Sequence, residues 1–424
     1  MVRLARRLLL PLLLLNITTS ANNWHVLGIG IGPALFWIII ATGGYLVAQS
    51  GYRNLGAAAL FAALLLRLME AATHDPIVAA LRHAALGVLM MTAGASAFGR
   101  HPRLLARQLI VFMALCLPVM VLQLTGAHSF FMMWDTDPAH DPAILAIEEI
   151  GTFKKIPVHP TLWLPEEQLN YQMAQARPSG LLYANNVLSV FVAIAAALAL
   201  ATARRSRVGL AGLVVLTVLV LAMSMTAFAA VGGLYLAILI IGPGRWRKYV
   251  VKGAIVFTCL MWIYAQLFPG LFAIAFSREK LLMRAFTRGL GLFDMLGIRF
   301  LRDLYDWTGA YTWGIIEAET AYSGVEKILR SPLAGLAIVG AILALVWYGR
   351  AVRTMHREGE TRWPVYPITA VVCVLTQFGV PYYGAPAFQV IFGFAMYPLY
   401  YSLWRARAVA PTAPDASRPV PATS

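Results

Sequence analysis

Two stretches of the chain carry cations and amides in patterns suited to holding an anion. The first is Arg177-Pro178-Ser179-Gly180, which runs through Leu181-Leu182-Tyr183-Ala184 into Asn185 and Asn186 at the mouth of an apolar run. Pro178 and Gly180 shape the backbone beside Arg177. An amide in apolar surroundings is costly unless it meets a hydrogen-bonding partner or a ligand. Helix capping and bonding between helices are the alternative uses of the same groups. The second stretch is Ser277 to Arg288. As a helix it stands Lys280, Arg284 and Arg288 on one face at i, i+4 and i+8, with Arg299 and Arg302 following at helical spacing. A row of guanidinium groups suits phosphate oxygens because the planar fork holds two oxygens at once. The same row equally suits an amphipathic helix whose cations meet lipid headgroups.

A carboxylate follows. In Glu317-Ala318-Glu319-Thr320-Ala321-Tyr322, Glu319 and Tyr322 stand at i and i+3 on one helix face. Beside several arginines Glu319 can act as a general base, or it can neutralise one of them. Glu326 with Lys327 or Arg330 reads as a local ion pair. Arg67 and Glu70, at i and i+3, pair in the same way or line a shared cavity with Arg82 and His83. Other chemistry is thinly represented: there is no Walker loop, HExxH, GxSxG or paired-cysteine motif. His74-Asp75, His128 with Asp135 and Asp137, and His140-Asp141 lack the spacing of a metal site. No metal and no cofactor is expected.

The elements that must position these residues follow from composition. The chain is 60% hydrophobic and 12% charged, with a mean hydropathy of +0.70. A soluble protein of 424 residues cannot keep that much apolar surface from water. Runs of about 20 apolar residues match the bilayer core, and spans in lipid must satisfy their backbones internally as helices. About twelve such runs lie near 8–20, 28–49, 55–71, 77–98, 105–126, 181–202, 208–223, 226–243, 249–271, 332–349, 365–380 and 386–404. The seventh and eighth share one apolar stretch, with Ser224-Met225-Thr226 as the turn. The expected fold class is therefore all-α, a polytopic membrane helix bundle with two long outer loops, about 127–180 and 272–331. Residues 1–404 form its single transmembrane domain, and the Pro/Ala-rich tail 405–424 is expected to be disordered. Met1 to Leu15 reads as an uncleaved first helix. Cys116, Cys259 and Cys373 all sit in apolar runs, which argues against a disulfide framework.

Alternate connections differ in charge. One set, running from Arg3 to Arg418, holds 21 Lys/Arg against only Glu358, Glu360 and Asp415; the rest of the chain holds 13 Lys/Arg against 16 Asp/Glu. Short basic loops stay cytoplasmic, so both termini are expected inside and both long loops outside. The net charge of +15 is then a matter of topology, and no nucleic-acid partner is implied. Long ordered loops are usually functional. No internal repeat is visible, which weighs against a repeat-built transporter.

Taken together the layout resembles the O-antigen polymerase and O-antigen ligase superfamily. The matching stretches are Arg177 to Leu181 with Asn185 or Asn186, Met283 to Arg302, and Glu319-Thr320-Ala321-Tyr322 through Gly335. The resemblance implies a bacterial inner-membrane glycosyltransferase, metal-independent, acting on an undecaprenyl-diphosphate-linked oligosaccharide at the periplasmic face. By position Arg177, Arg284 and Arg288 would hold the diphosphate, with Lys280, Arg299, Asn185, Asn186 and Tyr322 completing the substrate site. Glu319 falls where the ligases carry a histidine, and no histidine lies between residues 278 and 331. That departure favours polymerisation of O-antigen or exopolysaccharide repeat units over ligation to a lipid or protein acceptor. Trp134, Trp163 and Tyr171 would stack on sugars or belong to an interfacial aromatic belt. Implied partners are membrane lipids, a polysaccharide flippase and a chain-length regulator. Competing readings are a polysaccharide or lipid transporter and a non-enzymatic component of a polysaccharide assembly.

Overall fold

The computed structural model describes residues 1–21, 25–26, 29–73, 76–124, 178, 180–182, 185–202, 208–241, 244–269, 272, 334–377 and 385–409. These residues are mostly helical. The helices are α1 Val2–Ala21, α2 Ile31–Ala48, α3 Arg53–Thr73, α4 Pro76–Phe98, α5 Pro102–Leu124, α6 Asn185–Thr202, α7 Val208–Ala222, α8 Met225–Ile241, α9 Gly244–Leu267, α10 Ala334–Arg357, α11 Val365–Gln377, α12 Pro386–Ala395 and α13 Tyr397–Val409. A two-residue antiparallel pair, β1 His25–Val26 with β2 Ile29–Gly30, joins α1 to α2.

Each apolar run overlaps a helix among the described residues, with differences at the boundaries: the run near 181–202 becomes helix only at Asn185, Leu181 and Leu182 lying in a turn. The last run is divided at Met396 into α12 and α13. Pro398, with no N–H to give, removes the bond that would continue the helix. Helix α10 runs on past 349 to Arg357, where His356 and Arg357 meet the negative end of its dipole. Helix α13 likewise continues past 404 to Val409. The joint between α7 and α8 falls at Met223, whose φ of +46° is a conformation that L residues seldom adopt. Ser224 then opens α8, its carbonyl accepting from Phe228 N–H at 2.9 Å.

Helix α6 is the centre of the bundle. Every residue from Val187 to Ala199 is buried, because α5, α7, α8 and α11 pack around it. A helix apolar on all sides needs such an enclosure or a lipid surround. On one flank α4 packs against α3 and α12. Gly94 of α4 lies against the carbonyl of Val390, and Gly393 of α12 against that of Met91. The two backbones cross so closely that no Cβ fits at either position, the small-residue crossing by which helices associate without a hydrophobic driving force.

Proline inside α1 has a specific consequence. Pro11 cannot donate to the carbonyl of Arg7, four residues back. Gln108 of α5 donates its side-chain amide to that carbonyl at 2.7 Å, so a bond lost within one helix is replaced from its neighbour.

Among the described residues two helices are long and apolar enough to cross a membrane, Pro102–Leu122 and Trp246–Leu267, and six shorter helical segments are apolar. Large apolar side chains face outwards along several helices, among them Phe61 and Leu68 of α3, Trp262 and Leu267 of α9, and Leu343 and Leu345 of α10, each more than 60% exposed. Apolar surface of that extent marks contact with lipid or protein rather than with water.

Candidate functional site

The end of the bundle from which the long loops depart is built on apolar contacts. Helix α5 ends at Leu124, just before the stretch 127–180 expected to lie outside. Helix α9 ends at Leu267 and its chain continues through Phe268 and Phe272 towards the second such stretch. Both stems enter one cluster. Val220, Met223 and Tyr264 are buried there, and Leu124, Phe268 and Phe272 pack against them. Tyr264 and Phe268 bring their ring centroids to 5.2 Å, and Phe228 meets Phe257 edge-on at 5.5 Å. The strained joint at Met223 is thus the floor on which the two stems meet.

The first loop returns beside α5. Pro178 is buried, as are Gly180 and Leu182. Gly180 takes φ +63°, a conformation glycine adopts without penalty. A Cβ there would stand 2.8 Å from Cβ and 3.0 Å from Sγ of Cys116. Cys116 lies eight residues before the end of α5, about 12 Å along the helix axis. The returning strand therefore tucks in alongside α5 well before α6 begins. Irregular backbone at such depth is tolerated in a membrane only where protein covers it.

Asn185 and Asn186 form the first turn of α6, so paired amides open the most enclosed helix of the bundle. Ser189, fully buried, follows at i+4 from Asn185 and i+3 from Asn186, hence on their face. This hydroxyl escaped the sequence reading, although its helical spacing from the two asparagines was the available signal. Arg177, Lys280, Arg284, Arg288, Arg299, Glu319 and Tyr322 lie outside the described residues. Arg67 is exposed on α3, and Arg82 of α4 is half-buried with Nη2 3.2 Å from Nε2 of its neighbour His83. Cys116 and Cys373 are buried free thiols, and Cys259 is an exposed one.

The opposite end of the bundle is polar. The start of α1, the α4–α5 turn, the α10–α11 turn and α13 come together there. Arg6 donates through Nη1 to Nε2 of His101 at 2.6 Å, and Arg100 donates to the Tyr397 hydroxyl at 3.3 Å. Arg362 donates to the Arg100 carbonyl at 2.7 Å, and Tyr366 to that of Gly99 at 2.6 Å. Glu358 accepts from Tyr401 at 2.5 Å and pairs with Arg405. Burial, and then the guanidinium groups of Arg6, Arg362 and Arg100, hold the His101 imidazole below its usual range. Neutral His101 is the form able to accept from Arg6.

Compared with family models, with curated proteins and with solved structures, the chain matches none of them.

Proposed function

We propose that the chain is a multi-pass glycosyltransferase of the bacterial inner membrane, with about twelve spans and both termini in the cytoplasm. It polymerises undecaprenyl-diphosphate-linked oligosaccharide repeat units at the periplasmic face. The observation that carries the reading is the meeting of chain ends at one place: Leu124, Phe268 and Phe272 share one cluster, and Pro178, Gly180 and Leu182 are buried, with Gly180 against Cys116 of α5. Loops anchored so close together can bring Arg177 within reach of Arg284, Arg288 and Glu319. Outward apolar faces support a lipid surround. Arg6, Arg100, Arg362 and Arg405, all from connections assigned to the cytoplasm, gather at one end, which supports the orientation.

In this mechanism Arg177, Arg284 and Arg288 neutralise the diphosphate, assisted by Lys280 and Arg299. Glu319 removes the proton from the acceptor hydroxyl. The hydroxyl oxygen bonds to the anomeric carbon of the donor glycan, and the bond from that carbon to the phosphate oxygen breaks. Undecaprenyl diphosphate leaves, its charge held by the arginines. Fixed cations lower the barrier by stabilising charge as it develops, and alignment of the two sugars supplies much of the remainder. Asn185, Asn186 and Tyr322 orient the glycan. The test is polymer formation in cells carrying Arg177→Ala or Arg288→Ala. Each is expected to abolish the polymer while the protein stays in the membrane, and a normal chain-length ladder in either would overturn the assignment.

A further inference from the structure

The polar end of the bundle encloses a cavity of about 580 Å³. Its wall draws on four connections. Arg100 and Arg103 come from the α4–α5 turn and the first turn of α5, Thr202 from the end of α6, Trp246 from the start of α9, and Thr361 and Arg362 from the α10–α11 turn. We propose that this cavity binds a phosphate group, presented either on an anionic phospholipid or in solution.

Three arginines from two turns line one hollow, and among the described residues one carboxylate stands beside them. Glu360 lies 3.9 Å from Nε of Arg362. Glu358 is turned to Arg405 and Tyr401 instead. Arg6, behind His101, adds a further cation, and its buried Nε has no hydrogen-bond partner. Among the described residues the lining of the hollow is thus richer in cations than in carboxylates, and His101 beside it is kept neutral. Arg362 is anchored through one nitrogen to the Arg100 carbonyl, and Arg100 through Nε to the Tyr397 hydroxyl, so both guanidinium groups are held. Anchored forks of this kind match the tetrahedral oxygens of phosphate better than mobile lysines do. Helix α5 begins at Pro102 in the same wall, so the positive end of its dipole adds to the field. Trp246 is almost fully buried and, with Leu104 and Val365, gives one side of the hollow an apolar lining suited to the glycerol and upper acyl chain of a lipid. Arg103 is exposed and its side chain has no partner among the described residues, so it is the arginine whose removal disturbs the fold least.

The experiment uses the purified full chain in neutral detergent. Binding of dihexanoylphosphatidylglycerol and of inorganic phosphate is titrated separately at constant ionic strength. Saturable one-site binding of either ligand is expected. Binding of the lipid alone assigns the source to the membrane, and binding of inorganic phosphate alone assigns it to solution. Arg103→Gln is expected to raise Kd about tenfold, the effect of one lost charge-assisted hydrogen bond. Arg107→Gln removes an equally exposed arginine one turn further along α5, outside the lining, and is expected to change Kd less than about twofold. Equal losses in the two variants, or binding that never saturates with either ligand, would overturn the proposal. Glycan transfer is not read in this experiment, so its failure leaves the polymerase reading standing, and the reverse also holds.

Discussion

The two ends of the bundle are stabilised by different forces. At one end arginines are fastened to carbonyls, phenols and a carboxylate, so that Arg6, Arg100, Arg362 and Arg405 each tie two elements together. At the other end the stems of the long loops rest on aromatic and aliphatic contacts and on a glycine pressed against Cys116. Where charge serves as fastening, its presence says little about a reaction. Where the frame is apolar, the described residues spend no charge on holding it together. The second end is for that reason the better place to look for a reaction, and the first for a passive anion site.

The largest effect that sharpens this contrast is expected at the loops. Beyond the arginine variants, Glu319→Gln should reduce polymer length far more than Glu326→Gln, as seen by gel electrophoresis of extracted glycan. Equal, mild effects would return Glu319 to a structural role. Next comes the glycine of the returning segment. Gly180→Val must adopt a left-handed backbone, costing about 1–2 kcal/mol, and must displace Cys116, costing about 1–3 kcal/mol more. A large fall in the thermal midpoint of the purified protein is expected. Retention of the wild-type midpoint would show that the segment is not held where it lies.

Smaller effects are expected at the polar end. Gln108→Leu leaves the Arg7 carbonyl, orphaned by Pro11, without its replacement donor and should destabilise by about 1 kcal/mol, measured as a shift in thermal midpoint. The smallest concerns pH. His101 is held below its usual range when folded, so the unfolded chain takes up its proton first. Stability is expected to be fullest above about 6.5, the ordinary histidine value, and to decline as pH falls below it. His101→Gln should flatten that part of the midpoint-against-pH curve. An unchanged slope would mean that His101 does not feel the neighbouring arginines.

Much of the frame was legible in the sequence. Backbone groups cannot be left unpaired in an apolar setting, so the long apolar runs had to be helical, and their described residues are mostly helix. The close crossing of α4 and α12 was not legible, because Gly94 and Gly393 look like any other glycines until their backbones meet. Replacement of the Pro11 bond by Gln108 was equally hidden, since it joins Gln108 to Arg7, 101 positions away in the chain. Of the candidate site, Asn185 and Asn186 were expected one to two turns inside a span beginning near 181, whereas the helix opens at Asn185 itself. The third polar group on their face, Ser189, was overlooked.

Helices α6 and α10 mark the boundary most clearly. Both are strings of alanine, leucine, isoleucine and valine, and composition alone made both of them helices. Yet α6 is buried from Val187 to Ala199, whereas every residue of α10 from Val339 to Trp347 is exposed. Local sequence fixes helical structure because the hydrogen bonds of a helix close within four residues. Which helix becomes the centre of the bundle depends on contacts between residues far apart in the chain, and only the tertiary structure decides those.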